Sequence, residues 1–384
     1  MTPLTARMRR HLRWRKSQRQ ELLAPLDGAD VIFVVDRLVP RLGMEKAALR
    51  LIHELDAHDR VGVLVVAGPP PAAPLRRAVF LGHRNGSRGR IAAMLQLRRV
   101  ARQPGAEFVA VGTWAATTFS LANLGGRTPL ILWEHTVLPW RIRHERSVTV
   151  CALALRFLLG RTVRTVVSVG DANARTVEAL TGHRVPTRVI PNFPEKDAET
   201  PAAQPRREST APMRNSVSLL GIGSLIPRKN WALAITALTH LPDHVELSLA
   251  GDGSDRDELS RLAHELGVDQ RVTFLGYVES VGPLLDRADV IVHPSFAETF
   301  GYVLMEAAFH RKPVVVLDMP AMNEFVPSLV CGAIADRPEP VNYARAIEDA
   351  LGTDWHHDEA ESRRAKRLNS NAIVAAWLDV LPSQ

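Results

Sequence analysis

Ser218-Leu219-Leu220-Gly221-Ile222-Gly223-Ser224-Leu225-Ile226-Pro227-Arg228-Lys229-Asn230 reads as a strand, a glycine turn and the approach to a helix. Leu219, Leu220 and Ile222 put apolar side chains on both faces of the strand, as in parallel strands covered by helices on both sides. Trp231–Leu238 follows with helical spacing. Glycines let a ligand approach the backbone, and a helix N-terminus beside Arg228 and Lys229 can hold phosphate. Many α/β turns use the same glycines only for tight packing, so the turn needs company before it means chemistry.

The same strand-then-helix pattern extends in both directions. Val31–Val35, Val61–Val66, Phe108–Val111, Leu130–Trp133, Val166–Val169 and Val189–Ile190 read as strands before it. Ser218–Ile222 itself, Glu246–Ala250, Val272–Leu275, Val290–Val292 and Val314–Leu317 read as strands in the second half. Ala48, Leu51, Ile52 and Leu55 follow helical spacing between the first two strands. This repeated βαβ logic predicts an α/β protein with doubly wound parallel sheets.

Pro194–Asn215 lacks apolar periodicity and is rich in Pro, Ala, Glu, Arg, Ser and Thr, the composition of a linker. The expected organisation is a basic arm over 1–20, a Rossmann-like domain over 21–195, a linker over 196–215, a second Rossmann-like domain over 216–360 and a helix over 361–384. Ile373, Val374, Trp377 and Leu378 form the apolar face of that last helix.

The chain has 384 residues, 46% of them hydrophobic and 23% charged, which suits two globular domains and excludes a disordered or polytopic membrane chain. Its two cysteines, Cys151 and Cys331, exclude a disulfide scaffold and suit a reducing cytoplasm. Of the net +7, Arg7, Arg9, Arg10, Arg13, Arg15, Lys16 and Arg19 all lie in the first twenty residues, with no acid among them. The body is near neutral. No apolar core follows the basic run, so no signal peptide is expected. Val148–Gly160 is too short to span a membrane and reads as a buried helix. With Leu4, Met8, Leu12 and Trp14 as a weak apolar stripe, the arm suits an anionic membrane surface. The expected location is therefore cytoplasmic, peripheral at the inner face of the membrane. Arg76–Arg102 holds eight basic residues and no acid, and suits anionic lipid or a phosphorylated acceptor. Nucleic acid is not expected, because no aromatic residues interleave the patch.

Two further segments carry polar groups at strand ends. Ala250-Gly251-Asp252-Gly253-Ser254 reads as a turn before a helix, and Asp255-Arg256-Asp257 reads as dipole-favouring acids in its first turn rather than a metal signature. His293-Pro294-Ser295-Phe296-Ala297-Glu298-Thr299-Phe300-Gly301-Tyr302-Val303-Leu304-Met305-Glu306-Ala307 places Glu298 in a loop and Glu306 on the following helix. A carboxylate on so apolar a helix needs a hydrogen-bonding partner, and a ribose diol suits it. His53-Glu54-Leu55-Asp56-Ala57-His58 is one residue too long for a zinc protease motif and reads as helix surface. His356-His357-Asp358-Glu359 is read the same way.

These segments, in this order and spacing, resemble the family 4 glycosyltransferases, retaining enzymes of the GT-B fold, from about Ser218 to Ala350. The resemblance rests on the Glu-x7-Glu pair Glu298 and Glu306, the turn Gly221, Gly223, Lys229, Asn230 and the turn Gly251–Gly253. Arg271-Val272-Thr273-Phe274-Leu275-Gly276 and Lys312-Pro313-Val314-Val315 add to it. Leu42-Gly43-Met44-Glu45-Lys46, Trp133-Glu134-His135, Ser168 and Ile190-Pro191-Asn192 extend it more loosely to the first half.

The resemblance implies two Rossmann-like domains facing across a cleft, with the C-terminal helix crossing back to the first domain. It implies a nucleotide diphosphate sugar as co-substrate, UDP or GDP rather than ADP, with no cofactor and no metal. Lys229 would hold the diphosphate, Glu306 the ribose, and Glu298 the sugar. Backbone amides at Phe300 and Gly301 would meet phosphate, and His135 would sit by the sugar or acceptor. Gly43, Gly223, Ser224, Arg228 and Gly251 complete the implied donor site. Three positions depart from the family pattern. Ser224 stands where an arginine is usual, Leu42 replaces the first loop glycine, and Pro320-Ala321 replaces a Gly-Gly pair before Glu324. The implied function is sugar transfer to a glycan or lipid-linked acceptor in cell-envelope or polysaccharide biosynthesis. A nucleotide-binding scaffold without catalysis, or a GT-B epimerase or phosphorylase, are the alternatives.

Overall fold

The structure is a computed structural model. It describes residues 24–26, 28–36, 38, 43–56, 61–66, 75, 77–81, 87–101, 105–124, 126, 128–135, 161–193 and 216–381. The basic arm, the linker, Leu42, Arg76 and Val148–Gly160 lie outside them. Of the described residues, one compact unit takes those up to Val169, Ala174–Ile190 and the stretch from Asn371. The other takes Gly170–Asn173 and Pro191–Ser370.

In the first unit, β1 (Val31–Val35), α1 (Gly43–Leu55), β2 (Val61–Val65), β3 (Ala78–Phe80), α2 (Ser87–Val100), β4 (Glu107–Val111), α3 (Gly112–Ala122), β5 (Leu130–Glu134), β6 (Val163–Ser168), α4 (Asp171–Thr181) and β7 (Thr187–Val189) follow in chain order. The strands form one parallel sheet ordered β3-β2-β1-β4-β5-β6-β7. Val31 pairs with Val61 on one side and with Glu107 on the other, so the strand order reverses direction between β1 and β4. β1, β2, β4 and β5 are buried almost throughout, which explains their unbroken apolar runs.

In the second unit, β8 (Val217–Ile222), α5 (Trp231–Ala237), β9 (Val245–Ala250), α6 (Arg256–Glu265), β10 (Val272–Gly276), α7 (Gly282–Arg287), β11 (Val290–His293), α8 (Tyr302–Phe309), β12 (Val314–Leu317), α9 (Pro320–Leu329), β13 (Gly332–Ala335), α10 (Pro340–Gly352) and α11 (His357–Arg367) follow. The parallel sheet is ordered β10-β9-β8-β11-β12-β13, with the reversal between β8 and β11. Trp231, Leu247, Val292, Val315, Tyr343 and Ile347 lie in its core. The Tyr343 hydroxyl donates to the Val315 carbonyl at 2.9 Å, so the buried phenol is satisfied.

Four expectations need correction. Two strands, β3 and β13, are absent from the sequence reading, and both lie at sheet edges. The single helix expected from Glu361 is two, α11 and α12 (Ser370–Val380), broken at Leu368-Asn369. Because α11 packs on α9, with buried Arg364 donating to the Leu329 carbonyl at 3.0 Å, the second unit runs to Ser370 rather than to 360. α12 clusters instead with the first unit, where Trp377 meets Trp133 edge-on at 4.8 Å between ring centroids. Arg164 on β6 joins this anchor, pairing with Glu107 at 2.8 Å and donating to the Val380 carbonyl at 2.8 Å. Last, Gly43 is not in a loop. It is the first residue of α1, with acidic Glu45 in that helix's first turn, where the dipole favours it.

Candidate active site

The reversal in the second sheet decides where the polar groups meet. Where neighbouring strands send their chains to opposite faces, a crevice opens at their carboxyl ends. β8 ends into Gly223, and Arg228 and Lys229 lie on a short 3-10 turn, Pro227–Lys229, between it and α5. β11 ends on His293, and Ser295 and Glu298 follow in its loop.

These two strand ends are stitched together. The Phe296 N–H donates to the Arg228 carbonyl at 3.0 Å, and an Arg228 guanidinium nitrogen donates to the Ala297 carbonyl at 2.5 Å. One carboxylate oxygen of Glu298 then collects four groups. It accepts from the Lys229 ammonium and lies 3.3 Å from Arg228 Nη1, 3.3 Å from His293 Nε2 and 3.4 Å from Ser295 Oγ. The Glu298 side chain is only 11% exposed, and that of Lys229 12%. Burial on its own pushes the Glu298 carboxyl up. The Lys229 ammonium, with His293 and Arg228, outweighs that and holds it well below the usual carboxylate range. Burial, and then the Lys229 charge, push the His293 ring down, so it stands as a neutral imidazole at pH 7.

The glycines shape this corner. Gly251, after β9, bonds to the Gly276 carbonyl, and a Cβ on it would lie 1.9 Å from the Gly223 carbonyl oxygen. Gly251 is therefore needed for backbone-on-backbone packing beneath the Gly223 turn. Ser224 is exposed, and its carbonyl accepts from the Trp231 indole at 3.0 Å. Gly301 caps α8 at φ 68°, a left-handed conformation that turns the chain into the helix. The Phe300 side chain is buried between Tyr302 and Phe325, at 5.2 and 5.4 Å, so only its backbone is available to a ligand. Glu306 is half-buried on α8, about one turn from that N-terminus.

The first unit has its own polar group at the ends of β4 and β5. Glu134 is wholly buried and accepts from the Thr113 hydroxyl at the start of α3. Beside it, His135 packs on Trp133 with ring centroids 4.5 Å apart, and burial pushes its pKa down to about 3. It too is a neutral imidazole. Met44 lies 3.2 Å from where a Cβ on Gly112 would stand, which puts the start of α1 against the start of α3.

The structure thus brings Arg228, Lys229 and Glu298 into one cluster, with Gly223, Ser224, Gly251, Phe300 and Gly301 on the backbone of the same unit. Gly43 and His135 belong to the other. His293, Ser295 and Thr113 were not singled out from sequence. A usable signal existed for His293, since it is the polar residue that ends an otherwise apolar strand. Among the described residues, no three His, Cys, Asp or Glu side chains are grouped to hold a metal ion. Asp255 and Asp257 lie at the N-terminus of α6, and Asp358 pairs with Arg311 at 2.5 Å. No described helix is long and apolar enough to cross a membrane.

Two family models match the chain and together cover most of it. "Glycosyltransferase Family 4" matches residues 42–195, and "Glycosyl transferases group 1" matches residues 206–372. The lipopolysaccharide core biosynthesis glycosyltransferase LpsE of Rhizobium meliloti is 30% identical over 201 residues, covering 51% of this chain and 58% of that protein. LpsD of the same organism, also a lipopolysaccharide core biosynthesis glycosyltransferase, is 27% identical over 64% of this chain and 74% of its own. The chain spans about half the length of the curated relatives it matches. Among solved structures, Anabaena HepE in complex with UDP superposes with a TM-score of 0.73 at 22% identity, over 92% of this chain and 99% of its own. WaaG, a glycosyltransferase involved in lipopolysaccharide biosynthesis, superposes with 0.69 at 17%, over 92% and 100%. These likenesses show the fold, two Rossmann-like domains of the GT-B class.

Proposed function

Because the chain belongs to the family 4 glycosyltransferases, we propose that it transfers a sugar, with retention, from a nucleotide diphosphate sugar to a glycan or lipid-linked acceptor of the cell envelope. The observation that carries the reading is the convergence of Lys229, Arg228, His293 and Ser295 on Glu298 at the sheet reversal. Polar groups buried at the carboxyl ends of parallel strands are what a phosphorylated ligand needs there. UDP or GDP is the proposed leaving group, and the UDP complex of HepE supports UDP. The part that LpsE, LpsD and WaaG play in lipopolysaccharide biosynthesis supports an envelope glycan as acceptor.

In this mechanism Lys229 and Arg228 meet the diphosphate, and the N-terminus of α8 at Phe300-Gly301 adds backbone donors to it. These groups stabilise the charge that develops on the leaving phosphate, so transfer needs no divalent ion. Glu306 holds the ribose. Attack occurs on the face the diphosphate leaves, and the departing phosphate takes the acceptor's proton. Glu298 is already neutralised by two cations, which suits a positioning and electrostatic role by the donor sugar rather than a nucleophilic one. Neutral His135 serves the acceptor as a hydrogen-bonding group. The basic arm over 1–20 holds the protein at the inner face of the membrane.

Titration calorimetry with UDP, GDP and ADP, in EDTA, tests the donor assignment. Selective binding of one nucleotide, lost in Lys229→Ala and Glu306→Ala, is the expected result. Full sugar transfer by both variants, or transfer that stops in EDTA, overturns the assignment it concerns. Tight binding without turnover for any donor favours the scaffold reading that Ser224 and Pro320-Ala321 suggest.

A further inference from the structure

We propose that His293 is a positioning residue for Glu298, holding its Oε1 when the Lys229 ammonium turns to the donor's diphosphate. The proposal rests on the reading above that Lys229 meets that diphosphate and Glu298 the donor sugar. It starts from a buried imidazole that the fold leaves unpaired. His293 is 1% exposed, and among the described residues neither ring nitrogen has a hydrogen bond of good geometry. A polar group in that condition costs free energy to bury. Its Nε2 nevertheless lies 3.3 Å from Glu298 Oε1, near enough to bond after a small shift. The sheet fixes the imidazole's side of that pair. His293 ends β11, pairs with Val316 of β12, and stands on a strand with neighbours on both sides. Glu298 is in the loop that follows, so the carboxylate is the partner free to adjust.

The contacts of Lys229, Arg228, His293 and Ser295 with Glu298 all fall on Oε1, and none of them uses Oε2. Lys229 is the nearest of the four. A diphosphate carries more negative charge than one carboxylate, so it draws the ammonium away from Glu298. The carboxylate stays buried and needs a replacement. Arg228 is a poor one, because the diphosphate competes for it too and its Nη1 already donates to the Ala297 carbonyl at 2.5 Å. Ser295 Oγ is shared with the Arg228 and Ala297 carbonyls, each at 3.3 Å. His293 is neutral, so no phosphate competes for it, and its Nε2 is the nitrogen beside a carboxylate, which places the ring proton there. With Nε2–H on Oε1, Oε2 keeps its place for a hydroxyl of the donor sugar. The titratable groups facing His293 are Lys229 and Arg228 from the turn after β8, Glu298 from its own loop and, at its backbone, the Tyr343 phenol of α10. Burial, and then the Lys229 charge, keep the ring neutral. Once Lys229 turns away, the ring loses that repulsion, keeps the carboxylate and becomes easier to protonate.

Nitrogen-15 spectra of the full chain labelled at histidine, with His293 assigned by its absence in His293→Gln, read the ring directly. Saturating UDP should shift the Nε2 signal and raise the His293 pKa by at least about one unit. Lys229→Met should do the same without UDP. Calorimetry with UDP gives a second readout. His293→Phe keeps a ring and no donor, and should weaken UDP binding at least about tenfold. His293→Gln, whose amide can stand where Nε2 stands, should stay within about threefold of the parent. A role in packing alone predicts the opposite order, and that order overturns the proposal. So does a His293 signal unmoved by bound UDP. If UDP binds and both variants bind it as the parent does, the donor reading stands and the proposal falls. If neither UDP nor GDP binds the parent chain, the donor reading fails and takes the proposal with it. Far-UV circular dichroism checks that both variants fold, and the spectra decide should His293→Phe not fold.

Discussion

Lys229 and Glu298, 69 positions apart, form an ion pair at the ends of two neighbouring strands, and that pair organises the corner of the second sheet. Lys229→Ala removes the nearer of two cations from a carboxylate that stays mostly buried. Arg228 and His293 remain, so the cost falls short of a fully orphaned charge. Chemical denaturation should show a loss of about 1–3 kcal/mol. Lys229→Arg should recover most of the stability. An unchanged denaturation midpoint in Lys229→Ala would show that the pair contributes nothing.

The depressed Glu298 carboxyl sets an acid limb on stability. Unfolded, it titrates near about 4.3; folded, it titrates well below that. As pH falls past the unfolded value, the unfolded chain takes the proton first. The contribution is complete above that value and is lost on the way down to the folded one. Glu298→Gln should therefore lose stability at neutral pH and show a shallower decline at acid pH. A decline as steep as that of the parent would contradict the shift.

His135 gives a second window. Its folded pKa of about 3 lies below the ordinary value of 6.5. Stability from this group is complete above 6.5 and is lost as pH falls toward 3. One proton changes the slope by at most about 1.4 kcal/mol per pH unit in that range. His135→Gln should flatten the stability profile between those values and leave it unchanged above. Denaturation midpoints collected across the range read the difference directly.

Gly251→Ala should cost about 3 kcal/mol or more, since its Cβ would stand 1.9 Å from a backbone oxygen and its φ of 154° strains any side chain. Gly267→Ala is the control. Gly267 also has positive φ, 70°, but nothing lies within 4 Å of its Cβ, so about 1 kcal/mol is expected. Equal losses at the two sites would show that contact with Gly223 carries no weight.

Trp377→Ala tests the C-terminal anchor. Trp377 is fully buried against Trp133, and a loss of about 3–5 kcal/mol is expected. Leu378→Ala on the same helix should be nearly silent, because Leu378 is 56% exposed. A silent Trp377→Ala would mean that α12 adds nothing to the unit it packs on.

The two sheets were legible wherever strands are buried on both faces. Val31–Val35 and Val314–Leu317 coincide with their apolar runs because a polar side chain without a partner is costly in a covered parallel strand. β3 and β13 escaped. β3 has three residues at a sheet edge, and β13 is Gly-Ala-Ile-Ala, whose composition favours no strand. It pairs with β12 because Gly332 alone allows the backbone contact there, where a Cβ would lie 2.1 Å from the Val314 carbonyl oxygen. The break between α11 and α12 was hidden because no Gly or Pro marks it, and the packing partners of the two helices differ.

Local chemistry was therefore written in the chain itself. Strand–turn–helix order, the positions of Lys229, Glu298 and Glu306, and the family they point to follow from residue type and spacing, which a single segment carries. What only the tertiary structure decided is who meets whom. His293 and Ser295 joining Lys229 on one oxygen of Glu298, Glu134 receiving the Thr113 hydroxyl and Trp377 returning to Trp133 all depend on strand order. That order is set by how buried faces pack across the whole sheet, an energy that no segment contains by itself.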